Sequence, residues 1–347
     1  MTMCKKILAI LFVLIAHAHA WAAYEIAAFS ANATIPLGHA CMGGGILPAQ
    51  QIVDPLEARG VVILGAEKPF VLVSVDWCEV RNDAYDRFRD VLAEAASTTR
   101  DRVLISCTHV HDAPVVDFTA QKLLDEVGLH RSLCDAKFAE ECFQRTAAAL
   151  RDSLQFKRAI THYGAGMAEI KELASNRRCV MPDGSINYNR TSSTADAALR
   201  ATDAGEVDPV LRTLSFWDGD TPVAALHAFA IHPMSYYGKG GVSADFPGIA
   251  RRARNAEMPG VFQIYFSGCS GDVVAGKWND GNPINRQVLA DKVRAGMTAA
   301  WEKTERHPIE SIAFRVAQLV LEPKSSTGYS EEELKALGIL LRHSPGT

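Results

Sequence analysis

The sequence predicts a mixed α and β fold, β-sheets flanked by helices, and three observations lead there. Apolar runs of strand length recur along the chain, and segments with the 3.6-residue spacing of amphipathic helices are interleaved with them. Several of the apolar runs end in polar or glycine-rich loops. With 347 residues and 48% hydrophobic composition, the chain has enough apolar surface to bury a large core.

Residues 24–34 read as a first strand, followed by a glycine-rich turn that ends at Gly45. Strands at 60–65 and 70–75 come next, the second running into Asp76. Between residues 82 and 97, Tyr85, Phe88, Val91, Leu92 and Ala95 recur at helical spacing. A polar loop then leads into a strand that starts at Val103 and carries VLISCTHVH. Residues 117–137 read as a polar connection and 138–154 as a second helix. A strand over 159–168 precedes a long loop, 174–209, and strands return at 211–217 and 223–231. Asp245 stands at the start of a helix with Pro247 just inside it, a common N-terminal arrangement. Another strand spans 260–267. A helix over 285–303 has Val288, Leu289, Val293, Met297 and Trp301 on one face. A last strand is expected at 312–321, with a helix beginning after Ser330. No internal repeat, low-complexity tract, GxGxxG or P-loop is visible.

A net charge of −4 and a pI near 6.3 argue against nucleic acid as a partner, since such proteins carry a basic stripe. The N-terminus has Lys5 and Lys6, an apolar run from Ile7 to Ile15, and Ala18-His19-Ala20, the order of a secretory signal peptide. Cleavage is expected after Ala20, or at Ala23. The run is far shorter than the ~20 residues a span needs, so the mature chain, 21–347, is expected to be secreted or periplasmic without an integral membrane span. Removing Cys4 leaves seven cysteines, an odd number for an oxidising compartment.

The residues that point to chemistry centre on His109 and His111. If the strand carries through them, Cys107, His109 and His111 look to one side, and two imidazoles so placed suit a metal ion or one ligand with an acid–base partner. His232 ends a second apolar strand, and Asp245 follows it across a glycine-rich loop. The long loop holds two Asn-Arg pairs, Asn176-Arg177 and Asn189-Arg190.

Taken together, DPLEARGVVI, VLVSVDWC, ISCTHVHDAP, the Asn-Arg loop, AIHPMSYYGKGGVSADFPG and SGCSGDVVAG resemble, in order and spacing, the N-terminal catalytic domain of the neutral/alkaline ceramidase family. The resemblance implies a ceramidase-like domain, a zinc ion, and hydrolysis of the amide bond of an N-acyl sphingosine or related lipid amide. It further implies that His109 and His232 are zinc ligands and His111 the partner histidine at the reacting centre. Arg177, with Arg190 in reserve, would be the active-site arginine, and Asp245 lies near the metal. Two departures stand out. The family's later glutamate and tyrosine ligands have no counterpart here, so either the chain is incomplete at its C-terminus or Asp76, Asp245 or Asp272 completes the shell. The family's serine in its GDVSPN-like motif falls on Val274, so the expected attacking group is water, with Cys269 and Ser270 displaced from that place. The alternatives are a ceramidase-like hydrolase of another substrate and a non-catalytic exported binding relative.

Overall fold

A computed structural model describes residues 24–322 and, beyond them, 328, 330, 332, 333, 335 and 336. The expected export signal and most of the expected C-terminal helix lie outside the described residues.

Ten strands form two five-stranded sheets. In chain order they are β1 (Tyr24–Asn32), β2 (Glu57–Leu64), β3 (Phe70–Val75), β4 (Val103–Cys107), β5 (Arg158–Ile160), β6 (His162–Glu169), β7 (Val210–Asp218), β8 (Thr221–Phe229), β9 (Phe262–Ser267) and β10 (Glu305–Pro308). Within residues 24–322 six α-helices accompany them: α1 (Asn82–Ala95), α2 (Phe118–Asp125), α3 (Ala136–Ser153), α4 (Ala197–Ala201), α5 (Asp245–Glu257) and α6 (Asn285–Glu302). The first sheet has the order β4-β3-β2-β1-β5 and the second β9-β8-β7-β6-β10.

These orders are the same. Each half runs three antiparallel strands, a helix, a strand parallel to the third, a helical connection (α2 and α3 in the first half, α6 in the second), and an edge strand beside the first; the second half adds the short α4 between its first two strands. The chain therefore repeats its topology although its sequence shows no repeat. The expectation of one strand over 159–168 is corrected here: the chain breaks at Thr161 and passes from the edge of one sheet into the other.

The side-chain pattern explains the stacking. On the first sheet Phe29, Val62, Val73 and Ile105 face α1 and α3, where they pack with Phe88, Leu92 and Phe143. On the second, Leu211, Phe229 and Tyr265 pack against Phe246 of α5 and Leu289, Val293 and Met297 of α6. The opposite faces meet each other through Ile26, Val61, Ile63, Phe216, Leu226 and Ile264. The result is a four-layer α/β/β/α sandwich, in which strand alternation supplies both apolar faces. Gly166 of β6 lets α6 approach, since a Cβ there would stand 2.0 Å from the Ala300 carbonyl oxygen.

Polar bonds join the halves. The Ser74 hydroxyl donates to the Tyr265 carbonyl (2.5 Å), and Arg59 Nε donates to the Gln263 carbonyl (2.9 Å). Arg251 of α5 binds both carboxylate oxygens of Asp76 at 2.7 Å and Glu57 at 2.7 Å.

Two further expectations give way. Residues 117–137 contain α2, capped by the Asp117 carboxylate, which accepts from the Ala120 N–H (3.0 Å). The expected strand at 312–321 is irregular; the edge position goes to β10, and Ile312 and Phe314 pack on the inter-sheet core without a backbone ladder.

His227 of β8 is fully buried, with Nδ1 2.8 Å from the Thr213 hydroxyl and Nε2 2.8 Å from Gln263 Oε1. Burial pushes its pKa down to about 4, against the Gln263 hydrogen bond. Below the unfolded value of ~6.5 the unfolded chain binds the extra proton and the folded one does not. The His227 contribution to stability is thus complete above pH ~6.5 and is lost as pH falls toward 4, by up to about 3 kcal/mol. Urea unfolding of metal-free protein across this window should show a steeper loss for wild type than for His227→Gln. Equal slopes would assign the loss to other groups.

Candidate active site

The C-terminal ends of β3 and β4 meet those of β8 and β9 on one side of the sandwich, where sites on parallel strand pairs form. Short bonds hold the four following loops together. Thr108 N–H donates to the Val75 carbonyl (2.8 Å) and His109 N–H to that of Trp77 (3.0 Å). Across the halves, the Ser267 hydroxyl donates to the Thr108 carbonyl (2.6 Å); within the second half, His232 N–H donates to the Val273 carbonyl (2.8 Å). Between the loops lies a cavity of about 440 Å³ whose lining includes Cys78, Glu79, His109, His111, Arg177 and His232.

Strand alternation does not bring the two histidines together. The strand ends at Cys107, and His109 adopts a left-handed backbone with φ 68°. Histidine is among the residues enriched there, and the reversal swings the ring toward the second half. Cys107 does not line this cavity. The ring centroids of His109 and His111 are 5.2 Å apart, those of His109 and His232 4.9 Å, and those of His111 and His232 5.9 Å.

Their hydrogen bonds differ. His109 Nδ1 is 3.0 Å from the Cys78 carbonyl and His232 Nδ1 2.6 Å from the Ser270 carbonyl, so each donates an N–H there and keeps Nε2 as a lone-pair donor. His111 Nδ1 is buried without a partner. Burial first, then His109, His232 and Arg177, push the His111 pKa down to about 3. Burial also takes His232 to about 4, against its bond to Ser270. Both rings are neutral near pH 7, the form that binds zinc.

The arginines separate clearly. Arg177 lines the cavity with its Nε buried and unpaired. Arg190 is fully buried elsewhere, donating to the carbonyls of Asn176, Asp203 and Ala204 at 2.6–3.0 Å and to the Thr202 hydroxyl at 2.9 Å. It pins the long loop.

Of the three aspartates proposed from sequence as completing a metal shell, none lines the cavity. Asp76 is turned into Arg251. Asp272 pairs with Asn176 and Arg178 at the surface. Asp245 spends its carboxylate on the Ser235 N–H and hydroxyl, the Phe246 N–H and Arg286, and Ala244 rather than Asp245 is the N-cap of α5. Its place is beneath the loop that carries Tyr237.

Cys78, Glu79 and Tyr237 are among the lining residues that the sequence did not single out. Cys78 and Glu79 follow β3, which pairs in parallel with β4 so that Val75 stands beside Cys107. Residues just after either strand must therefore adjoin the histidines, and that signal was readable. Ligand atoms of Cys78, His109 and His111 lie within 4.8 Å of one another. Tyr237, whose ring centroid is 4.7 Å from that of His111, comes from the glycine loop and had no signal. Val274 is buried in a two-residue ladder with Ser175, and neither Cys269 nor Ser270 lines the cavity.

Among solved structures, the chain is similar to the neutral ceramidase from Pseudomonas aeruginosa, with a TM-score of 0.60 and 16% identity over 81% of this chain and 45% of that one. A ceramidase complexed with C2 gives a TM-score of 0.59 and 16% identity over 81% of this chain and 44% of the other. The fold is ceramidase-like, and the chain spans less than half the length of these neighbours. No protein-family model and no curated protein matches the sequence.

Proposed function

We propose that this protein is an exported zinc-dependent hydrolase that cleaves the amide bond of an N-acyl sphingosine or a related lipid amide. The observation that carries the reading is the convergence of His109, His111 and His232 in one cavity, with His109 and His232 each anchored through Nδ1 to a carbonyl. Nitrogen and thiol donors in this number fit zinc. His109 and His232 would hold it through Nε2; the Cys78 thiol lies with the donor atoms of His109 and His111. Bound there, zinc supplies a Lewis acid for the amide carbonyl.

The chain's own groups supply the rest. His111, set beside the two anchored histidines, takes up a proton from the attacking water and returns it to the leaving amine. Arg177 faces the developing oxyanion from a partly desolvated position, where a positive charge acts strongly. Water is the attacking group because no hydroxyl occupies position 274.

Hydrolysis of an N-acyl sphingosine and of shorter N-acyl amides by zinc-loaded protein, and its loss on chelation, tests the proposal. Turnover that survives exhaustive chelation rules out the metal, and a zinc-loaded protein inert toward every amide supports the non-catalytic relative. Arg177→Ala should lower kcat by about 10²–10³ with the unfolding midpoint unchanged. Arg190→Ala should instead lower the midpoint, because it removes the four bonds that tie the long loop to residues 176 and 202–204. The opposite pattern would transfer the catalytic role to Arg190.

A further inference from the structure

The second Asn-Arg pair leads to a surface feature that the chemistry of the cavity does not use. Between the two arginines the chain forms a hairpin, Cys179–Val180 paired with Ile186–Asn187. Its roots belong to the cavity: Arg177 on one side, Thr191 and Ser192 on the other, all line it. The root is rigid. Arg190 ties it to residues 176 and 202–204, and Gly276 lies so close that a Cβ there would meet the Thr191 carbonyl oxygen at 1.9 Å.

The hairpin has two unlike faces. Cys179 is buried against the body. On the other face Val180 stands directly opposite Ile186, and Tyr188 follows two residues on, on the same side. These three are 69%, 47% and 62% exposed. Pro182 at the tip is exposed as well, and from Cys179 to Tyr188 the sole charged residue is Asp183. A two-residue ladder gains nothing from showing an aliphatic pair to water, and no other segment among the described residues covers it. Aliphatic side chains beside a tyrosine, with a nearly uncharged tip, match the boundary between lipid headgroups and acyl chains. No helix among the described residues is long and apolar enough to cross a membrane, so contact of this kind would be superficial.

We propose that the hairpin at 179–188 docks on a phospholipid surface and sets the cavity at the interface from which a lipid amide is drawn. The choice of lipid as occupant rests on the reading of the cavity as a lipid-amide hydrolase and on the hairpin rising from the cavity's own rim. Phe156, 77% exposed, serves as the internal control, because it neighbours Phe262 at the N-terminal end of β9, away from the cavity.

The test uses the full chain and phosphatidylcholine vesicles that contain no amide substrate. Val180→Asp with Ile186→Asp should weaken co-sedimentation more than about tenfold. Should that pair fail to fold, Val180→Ser with Ile186→Ser gives the same comparison. Independently, Tyr188→Trp should blue-shift in emission on addition of vesicles and be quenched by brominated lipid, whereas Phe156→Trp should not respond. Vesicle binding unchanged in the hairpin variants, a silent Tyr188→Trp, or an equal response at position 156 overturns the docking site. Hairpin-dependent vesicle binding by a protein that hydrolyses no amide would leave the docking site standing and remove the hydrolase reading. Loss of turnover on dispersed short-chain amides in the hairpin variants would show that the hairpin serves the cavity itself and would count against docking.

Discussion

His232→Ala protein should lose its zinc and, with it, about a thousandfold or more in amide hydrolysis. The anchoring of His232 Nδ1 on the Ser270 carbonyl leaves Nε2 as the one donor that the second half of the chain sends toward His109. Without it, the remaining donors, Cys78, His109 and His111, all come from the first half, and zinc still held after the substitution would assign the ion to that set instead. Lewis-acid assistance is worth several kcal/mol, hence the size of the effect. His109→Ala should behave alike. His111→Ala should retain zinc and lose about 10²–10⁴ in rate, the usual cost of removing an acid–base group. Zinc content measured alongside turnover distinguishes these outcomes. Equal zinc loss in all three variants would make His111 a ligand, consistent with its buried unpaired Nδ1; Cys78→Ser would then show whether the thiol completes the set.

The largest loss of stability should follow Arg251→Ala. Arg251 is 1% exposed and Asp76 0%, and the two share a bidentate pair with Glu57 alongside. Removing the guanidinium leaves the Asp76 carboxylate buried with only the Glu57 N–H as a partner. Breaking a buried pair from one side costs about 3–5 kcal/mol. Arg251→Met with Asp76→Asn should recover much of it, since no net charge then remains buried at either position. Denaturant unfolding of the three proteins checks this, and a single variant as stable as wild type would mean that water reaches Asp76.

Much of this architecture was legible in the sequence. The strand at 70–75 and the helices near 82–95 and 285–302 carry their period openly, because one face of each is apolar. The helix at 118–125 was hidden, since Gln121 is the one residue it buries and its signal is an aspartate cap within a polar stretch. The break at Thr161 was hidden for another reason: β5 and β6 are separated by one residue, and nothing local marks a change of sheet. For the site, the histidines announced themselves by type and by the strands they follow. The pairing of Asp76 and Asp245 is with arginines 175 and 41 positions away in sequence, and pairing at that range leaves no local trace.

The repeated topology makes this chain equivalent to two like subunits joined in tandem, with one shared site on their seam. In that correspondence the loop after β3, with Cys78 and Glu79, is the counterpart of the loop after β8, with His232. The distance between His109 and His232 is therefore a property of how two bodies are aligned, fixed at Ser74, Arg59 and Arg251, and not of any single loop. A slip of one sheet over the other by a single ångström would open the donor set while leaving every element intact. The alignment contacts thus act on the site as a bearing acts on a shaft, and a variant that loosens them would keep its secondary structure while its grip on a metal ion fails.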